Sequence, residues 1–246
     1  MTPADQKLTL SAKSLSKSFA KRRVVDQLSL HVDAGEVVGL LGPNGAGKTT
    51  IFHMIVGFEH PDEGMVTLGD QRLDDLPMYE RSRRGVVYLP QEASVFRRLT
   101  VEQNLLAVLE VIGAPEQTQE ETVSLLLDDL GITHIRGALG ESLSGGERRR
   151  VEIARALVIS PRFMLLDEPF AGVDPIAVID IQGIISQLKS RGIGILITDH
   201  NVRETLGICD RAYILNQGKV LEEGAPEAIA SSKRAREIYL GDKFTL

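Results

Sequence analysis

The stretch Gly42-Pro43-Asn44-Gly45-Ala46-Gly47-Lys48-Thr49 matches the phosphate-loop pattern G-x-x-x-x-G-K-[ST]. Glycines at these positions let backbone N–H groups turn inward around a phosphate, because a Cβ atom would obstruct the turn. The apolar run from Glu36 to Leu41 predicts a buried strand before the loop, and Thr49 to Val56 predicts a helix after it, closed by Gly57. A strand, a glycine-rich turn and a helix in this order predict a nucleotide-binding site.

The residues of this loop have separate predicted contacts with a nucleotide. Lys48 is expected to reach the β- and γ-phosphates as a positive charge, and Thr49 to offer its hydroxyl to Mg²⁺. The helix that follows adds the partial positive charge of its N-terminus. The residues predicted to bind the nucleotide here are Gly42, Pro43, Asn44, Gly45, Ala46, Gly47, Lys48, Thr49 and Thr50.

A second apolar strand ends in two carboxylates. Phe163 to Leu166 is followed directly by Asp167 and Glu168. In a phosphate-loop fold such a strand lies beside the first one, so its first carboxylate can hold Mg²⁺, directly or through water. The next carboxylate can align a water molecule for attack. We therefore predict that Asp167 binds the metal and that Glu168 is a catalytic base.

The composition excludes several classes of protein. The chain has 246 residues, with 28 Lys and Arg against 34 Asp and Glu, and a formal net charge of −6. A hydrophobic fraction of 43% and a charged fraction of 25% are typical of a globular protein and exclude a disordered or collagen-like chain. The acidic balance disfavours a protein that binds nucleic acid mainly through phosphates. The single Cys209 excludes an internal disulfide and a cysteine-rich zinc module.

The sequence predicts no membrane span. A span needs at least about 18 largely apolar residues in a row, and the chain contains no such run. The first ten residues are polar and lack the apolar core of a signal peptide, so none is expected. If the protein acts at a membrane, other proteins must supply the spans.

Strands and helices alternate along most of the chain, which predicts an α/β fold with a parallel sheet. A helical period replaces this alternation at about residues 92–160 and indicates a helical insertion. Val86 to Leu89 is a further apolar strand, and Gln217-Gly218 predicts the turn of a hairpin. Asp174 followed by Pro175 predicts the start of a helix.

Leu143-Ser144-Gly145-Gly146-Glu147 predicts a second anion-binding turn. It offers flexible backbone N–H groups, a hydroxyl and the N-terminus of a helix. One nucleotide does not need two such turns from one chain. Two chains placed head to tail would use both turns, each completing the pocket of the other. Ser144, Gly145 and Gly146 are therefore predicted to bind nucleotide, and the chain to form a homodimer.

The order of these motifs resembles the ATP-binding subunits of ABC transporters over about residues 8–225. Gln91 stands where that family has its Q-loop, Ala171 to Asp174 where it has its D-loop, and His200 where it has its switch histidine. Phe19 stands where an aromatic side chain that stacks on adenine is expected. Phe19 replaces the commoner tyrosine, and Ala171 replaces a common serine, but neither change removes a phosphate or metal ligand.

The resemblance implies a RecA-like phosphate-loop core with a parallel sheet, an N-terminal antiparallel β region and an inserted α-helical subdomain. These parts would form a single ATPase domain over residues 8–246. Within it, the nucleotide-binding core with its β region would span 8–91 and 161–225, the helical subdomain 92–160 and a C-terminal extension 226–246.

The resemblance also implies hydrolysis of ATP with Mg²⁺. Glu168 would be the catalytic base, and His200 would hold a γ-phosphate oxygen and orient the water. Gln91 would sense the γ-phosphate and the metal. The residues expected around Mg²⁺ are then Thr49, Gln91 and Asp167.

Within the family, Pro90 to Thr100, Leu143 to Leu157 and Tyr239 to Phe244 look like the ATPases that power lipopolysaccharide export. The alternative is an importer of branched-chain amino acids or another small solute, since those importer ATPases share the Ala-Gly-Val-Asp-Pro segment at 171–175. A protein acting on ribosomes or DNA is disfavoured by the single cassette, the acidic charge and the lack of a heptad insertion. The intact catalytic motifs argue against a silent structural adaptor.

The segment Gln91–Thr100 is expected to receive integral-membrane subunits. It places Val95, Phe96 and Leu99 beside two arginines, and apolar anchors rimmed by charge suit a groove that accepts an amphipathic helix. The alternative is that Phe96 is core between two lobes. By the resemblance, the chain would be cytoplasmic, attached to the cytoplasmic face of the inner membrane only through its partners, and would bind no nucleic acid.

Two further segments carry predictions. Arg148 to Arg150 are expected to form a solvated face of the helix after Gly146. The tail beyond the catalytic motifs contains an apolar cluster, which is expected to pack on the cassette or across the dimer. Its members are Ile238, Tyr239, Leu240 and Phe244.

Overall fold

The strands of the protein form two sheets in the computed structural model, which describes residues 7–246. Residues 1–6, part of the segment in which no signal peptide is expected, lie outside the described residues. The strands are β1 (Thr9–Phe19), β2 (Arg22–Asp33), β3 (Val37–Leu41), β4 (Glu63–Leu68), β5 (Gln71–Arg72), β6 (Val86–Leu89), β7 (Phe163–Asp167), β8 (Gly194–Thr198), β9 (Arg211–Asn216) and β10 (Lys219–Gly224).

Helices connect these strands. They are α1 (Lys48–Val56), α2 (Met78–Arg83), α3 (Val101–Val111), α4 (Glu116–Asp129), α5 (Gly145–Leu157), α6 (Pro175–Ser190), α7 (Val202–Leu206), α8 (Pro226–Ser231) and α9 (Lys233–Ala235). Short 3-10 helices lie at Thr133–Ile135 and Gly140–Ser142, and a π-helical turn lies at Arg236–Leu240. Over residues 7–246, no helix is both long and apolar enough to cross a bilayer.

The larger sheet has six strands in the order β10-β9-β3-β8-β7-β6. All neighbours pair in parallel except β10, which runs antiparallel to β9. Every residue of β3, β7 and β8 is buried, as expected of a parallel sheet covered on both faces. The predicted α/β fold with a parallel sheet is therefore confirmed. The carboxyl ends of its strands meet at one edge, where ligands bind in open α/β sheets.

The smaller sheet is antiparallel, in the order β2-β1-β4-β5, and confirms the antiparallel β region. Its apolar face packs on α1 in one core cluster that includes Leu10, Val32, Val66 and Phe52. The sequence pattern did not predict β4. Its first three residues are exposed and only its last three are buried, so no apolar-polar alternation marks it.

Helices α3, α4 and α5 pack together against the parallel sheet. Leu105 of α3, Leu127 of α4 and Val151 of α5 share one buried cluster with Met164 of β7 and Ile181 of α6. The short helices α2 and α7, with six and five residues, were not predicted, because two turns or fewer carry too little periodicity.

The C-terminal residues pack on the cassette itself. Tyr239, Leu240 and Phe244 lie against a buried cluster that contains Leu41 of β3 and Ile214 of β9. Of the four apolar residues predicted to pack, Ile238 is the exception, since it is 40% exposed.

Truncation after Ser232 should therefore lower the melting temperature of the isolated protein. Loss of three partly buried apolar side chains removes a few kcal/mol, and each kcal/mol corresponds to about 2–4 °C in a chain of this size. We expect a fall of about 5–10 °C by differential scanning calorimetry, and little change in the control Ile238→Ala. An unchanged melting temperature after truncation would show that the tail contributes no stability.

Candidate nucleotide site

The phosphate loop leaves the carboxyl end of β3 and opens α1. Gly42, Gly45 and Gly47 have positive φ angles of 149°, 76° and 104°. A Cβ on Gly42 would lie 2.4 Å from the carbonyl oxygen of Leu215, and one on Gly47 would lie 2.9 Å from that of Val24. Both the backbone conformation and the lack of space therefore require glycine at these two positions.

Lys48 is a buried cation that lies across this loop. Its Nζ donates to the carbonyl oxygens of Gly42, at 2.7 Å, and Pro43, at 3.2 Å. Burial lowers the pKa of Lys48, and the carboxylates of Glu168 and Asp167 oppose that shift. A buried ammonium held by neutral carbonyls gains from a nearby anion, as a phosphate group would provide.

The structure brings the loop together with two predicted catalytic residues. One cavity of about 190 Å³ is lined by the loop, by Val24, and by Glu168 and His200. The loop residues in its wall are Asn44, Gly45, Ala46, Gly47, Lys48, Thr49 and Thr50. Its position at the N-terminus of α1 suits a phosphate chain.

Glu168 and His200 are in direct contact. His200 Nε2 lies 2.8 Å from Glu168 Oε1. Glu168 has a left-handed φ of 47°, and its N–H donates to the carbonyl of Thr198 at 2.7 Å, which ties the end of β7 to the end of β8. Burial raises the pKa of Glu168 above that of an ordinary glutamate, although His200 opposes the shift. A carboxylate with a raised pKa accepts a proton more readily.

Asp167 is buried at the end of β7, with 4% of its surface exposed. The hydroxyl of Tyr88, on the adjacent strand β6, donates to Asp167 Oδ2 at 2.9 Å. Burial raises the pKa of Asp167, and this hydrogen bond opposes the shift. Tyr88 is not among the site residues predicted from the sequence. The one feature of the sequence that could have indicated its role is that Tyr88 brings a hydroxyl into the apolar run Val86 to Leu89.

The three residues predicted to surround a metal line one cleft of about 1090 Å³. They are Thr49, Gln91 and Asp167. Within residues 7–246, no group of three or more His, Cys, Asp or Glu side chains is arranged to hold a metal. A hydroxyl, an amide and a carboxylate nevertheless fit Mg²⁺, which keeps several waters and binds together with substrate phosphates.

The turn predicted to bind a second anion, Leu143 to Glu147, lies apart from the phosphate loop. Ser144 caps α5 in a capping box with Glu147. Ser144 and Gly146 line a different cavity, of about 310 Å³, together with Asp174 and Ala177. A Cβ on Gly146 would lie 2.9 Å from Ala177 Cβ, so the close approach of α6 requires glycine there. Gly145 is close to the segment before α6, because a Cβ there would lie 3.4 Å from the carbonyl of Gly172.

Phe19 lies at the end of β1 and is 44% exposed. Lys17 Nζ lies 5.5 Å from the centre of its ring. In the adjacent strand β2, residues 22–24 line a cavity of about 470 Å³ with Pro43 to Ala46 of the phosphate loop. Phe19 is therefore on the hairpin that flanks the loop, with its ring accessible to a ligand.

The expectation of a solvated face at Arg148 to Arg150 is wrong for Arg149, which is only 6% exposed. Arg149 Nη1 donates to the carbonyl of Pro90 at 2.9 Å, and Nη2 donates to that of Asp167 at 3.3 Å. Burial lowers the pKa of Arg149, whereas the carboxylate of Glu152 opposes the shift. The sequence pattern missed this contact because both carbonyls come from distant parts of the chain.

The alternative that Phe96 is core is also wrong. Its side chain is 47% exposed, and the guanidinium of Arg155 lies 4.9 Å from the ring centre. Val95, at 8% exposure, is the buried anchor of this segment. Arg155 lines the large cleft together with Gln91 and Ser94, so Phe96 lies beside that cleft.

Comparison with known families agrees with this geometry. The family model described as "ABC transporter" matches residues 25–171. The lipopolysaccharide export system ATP-binding protein LptB of Haemophilus influenzae is 54% identical over 239 residues, which cover 96% of this chain and 99% of that protein. The LptB of Acidithiobacillus ferridurans is 57% identical over 237 residues, covering 96% and 98% of the two chains.

Solved structures give the same family. An ATP-binding cassette of an ABC transporter in its ADP conformation has a TM-score of 0.86 and 29% identity, covering 96% of this chain and 100% of that one. CbiO1 from Clostridium perfringens, part of an ABC transporter complex, has a TM-score of 0.83 and 26% identity, covering 94% of each chain.

Proposed function

Because the chain belongs to the ABC transporter family of ATP-binding proteins, we propose that it hydrolyses ATP to power the extraction and export of lipopolysaccharide from the inner membrane. The observation that carries this proposal is its identity, over nearly the whole chain, with curated lipopolysaccharide-export ATP-binding proteins. The intact phosphate loop, carboxylate pair and histidine supply the residues that the reaction needs.

Glu168 is the base of the proposed reaction. A water oxygen attacks the γ-phosphorus of ATP, and the bond from that phosphorus to the β–γ bridging oxygen breaks, which leaves ADP. Glu168 takes the proton of the attacking water, and the contact with His200 holds the carboxylate in place. Lys48 and the N-terminus of α1 balance the charge of the phosphates.

Thr49, Gln91 and Asp167, which line one cleft, would surround Mg²⁺, and Gln91 would also sense the γ-phosphate. Bound with ATP, the ion would neutralise charge on the β- and γ-phosphate oxygens. The buried hydrogen bond from Tyr88 would orient Asp167 toward the cleft.

A head-to-tail homodimer would complete each nucleotide site. The phosphate loop and Ser144 line separate cavities of one chain, so both can act on one nucleotide only when a second chain supplies the other turn. Phe19 would stack on adenine. Stacking discriminates weakly between nucleobases, because it depends on the aromatic face of the base and not on its hydrogen-bonding groups.

The cleft beside Phe96 supports docking of a membrane subunit. Its wall combines Tyr79, Val108 and Ile112 with Arg83 and Arg155, so an amphipathic helix would find apolar anchors with a charged rim. This protein would then lie on the cytoplasmic face of the inner membrane through its partners alone. In this role the chain would bind no nucleic acid.

Replacing Phe96 by Ala should abolish co-purification with the membrane subunits. The substitution removes an exposed aromatic anchor, and the loss of an interface hot spot costs about 2 kcal/mol or more, which is at least about thirtyfold in affinity. The isolated variant should still fold and bind ATP, because no phosphate contact changes. Normal assembly of the Phe96→Ala protein in a pull-down from solubilised membranes would refute the docking surface.

Mass spectrometry of the complex would separate lipopolysaccharide export from the import of branched-chain amino acids or another small solute. The complex would be purified from detergent-solubilised membranes, and its bound lipid and protein partners identified. We expect lipopolysaccharide with membrane subunits of an exporter. A periplasmic binding protein and no lipid would favour an importer.

A further inference from the structure

The segment that follows β6 is held by a row of side chains on the signature helix, α5. Arg149, Glu152 and Arg155 lie three residues apart and so face one side of the helix. Arg149 donates to the carbonyl of Pro90. Glu152 Oε1 accepts the N–H of Ser94 at 2.6 Å. Arg155 donates to the carbonyl and to the hydroxyl of Ser94, each at 2.6 Å.

The ion pair at the centre of this row is shielded from water, and the contacts with Ser94 are partly buried. Glu152 is 2% exposed, and its Oε2 accepts from Arg149 Nη1 at 3.1 Å. Charge-assisted hydrogen bonds of this kind are stronger than neutral ones, and a low dielectric strengthens them further. Between the two held residues, Pro90 and Ser94, only three residues are free, and all three are exposed: Gln91, Glu92 and Ala93.

The same row reaches the proposed docking surface. The guanidinium of Arg155 stacks on Phe96, and the buried side chain of Asn104 holds the backbone of Phe96 through its N–H, at 2.7 Å, and its carbonyl, at 3.1 Å. At the other end of α5, Ser144 and Gly146 form the second anion-binding turn. We call Gln91 to Ala93 the Gln91 loop. Helix α5 therefore contacts the docking surface and the residues at both ends of this loop, and it begins at the turn that would face the partner's nucleotide.

We propose that Glu152 and Arg155 are positioning residues that make the Gln91 loop move as one body with the signature helix. A displacement of Phe96 by a membrane subunit would then reach Gln91 and Ser144 together. Neither positioning residue lines the cavity at the phosphate loop. This inference rests on the proposed function in assigning Gln91 to the γ-phosphate.

Hydrogen exchange on the nucleotide-free protein tests whether Glu152 and Arg155 hold the segment after Pro90, an attachment that we call the tether. This measurement does not depend on ATPase activity. In Arg155→Ala, we expect the amides of residues 94–96 to exchange at least about tenfold faster, because two hydrogen bonds to Ser94 are lost. Ser94→Ala, which removes one acceptor of Arg155, should shift them less in the same direction. Arg148→Ala is the matched control on the same helix and should leave them unchanged. Unchanged exchange in Arg155→Ala would overturn the proposal.

Steady-state ATPase kinetics test whether the tether acts through Gln91. Arg155→Ala should lower kcat several-fold with little change in KM for ATP, and Arg155→Lys should recover part of it. In a Gln91→Ala background, Arg155→Ala should cause no further loss of kcat, because the Gln91 side chain that Arg155 positions is already absent. Equal losses in both backgrounds would overturn the proposal. A Gln91→Ala protein with normal turnover would instead refute the sensor role in the proposed function, and the exchange measurement would still decide the tether.

Discussion

The Glu168→Gln protein is expected to bind ATP with near-normal affinity but to lose about 10²–10⁴-fold in kcat, the range typical of general-base catalysis. Glutamine keeps the shape of Glu168 and a hydrogen-bond contact to His200, but it cannot accept the proton of the attacking water. If the head-to-tail dimer forms, this variant should accumulate in it with ATP bound. Phosphate release measures the first effect, and size-exclusion chromatography with ATP the second.

The pH profile gives an independent check on the same residue. Only the carboxylate form of Glu168 can act as a base, so kcat should fall as the pH is lowered through the pKa of this group. The pKa of an ordinary glutamate is about 4.3. Since burial raises the pKa of Glu168, kcat should begin to fall at a higher pH than it would with an ordinary glutamate as the base. Glu227→Gln, at an exposed glutamate of α8, is the control and should retain normal turnover. Normal turnover in Glu168→Gln would refute the assignment of the base.

The Lys48→Ala protein is expected to bind ATP at least about 10–100-fold more weakly, since a hydrogen bond to a charged group contributes about 1.5–3 kcal/mol. The loss should appear in binding itself and not only in turnover, because Lys48 is the buried cation of the phosphate loop. Isothermal titration calorimetry with ATP measures it directly.

The stability of Lys48→Ala without nucleotide separates a binding role from a structural one. Burial of the ammonium costs desolvation and lowers the pKa of Lys48. This cost offsets the two hydrogen bonds from Lys48 to the loop carbonyls, so its removal should change the melting temperature little. Lys13→Ala, at an exposed lysine of β1, is the control and should keep normal affinity. An unchanged ATP affinity in Lys48→Ala would contradict the phosphate contact.

Local chemistry made much of the site predictable. The phosphate loop requires glycine at φ angles that other residues avoid, so Gly42 to Thr49 carries its conformation in its own composition. The buried strands before the loop and before Asp167 show as apolar runs, and Asp174-Pro175 shows as a helix start. The meeting of these strand ends follows from the parallel order of the sheet, which the alternation of strands and helices indicates.

The chain by itself thus determined the elements that short-range backbone preferences and apolar periodicity specify: the phosphate loop, the carboxylate strand, the helix start at Asp174-Pro175 and the α/β order. Only the tertiary structure decided which polar side chains are buried and what they bind. Arg149 joins Pro90 across 59 positions of sequence, and Tyr88 joins Asp167 across 79. Such pairs leave no periodic trace, because a hydrogen bond depends on where two distant backbone segments meet and not on the residues beside either partner.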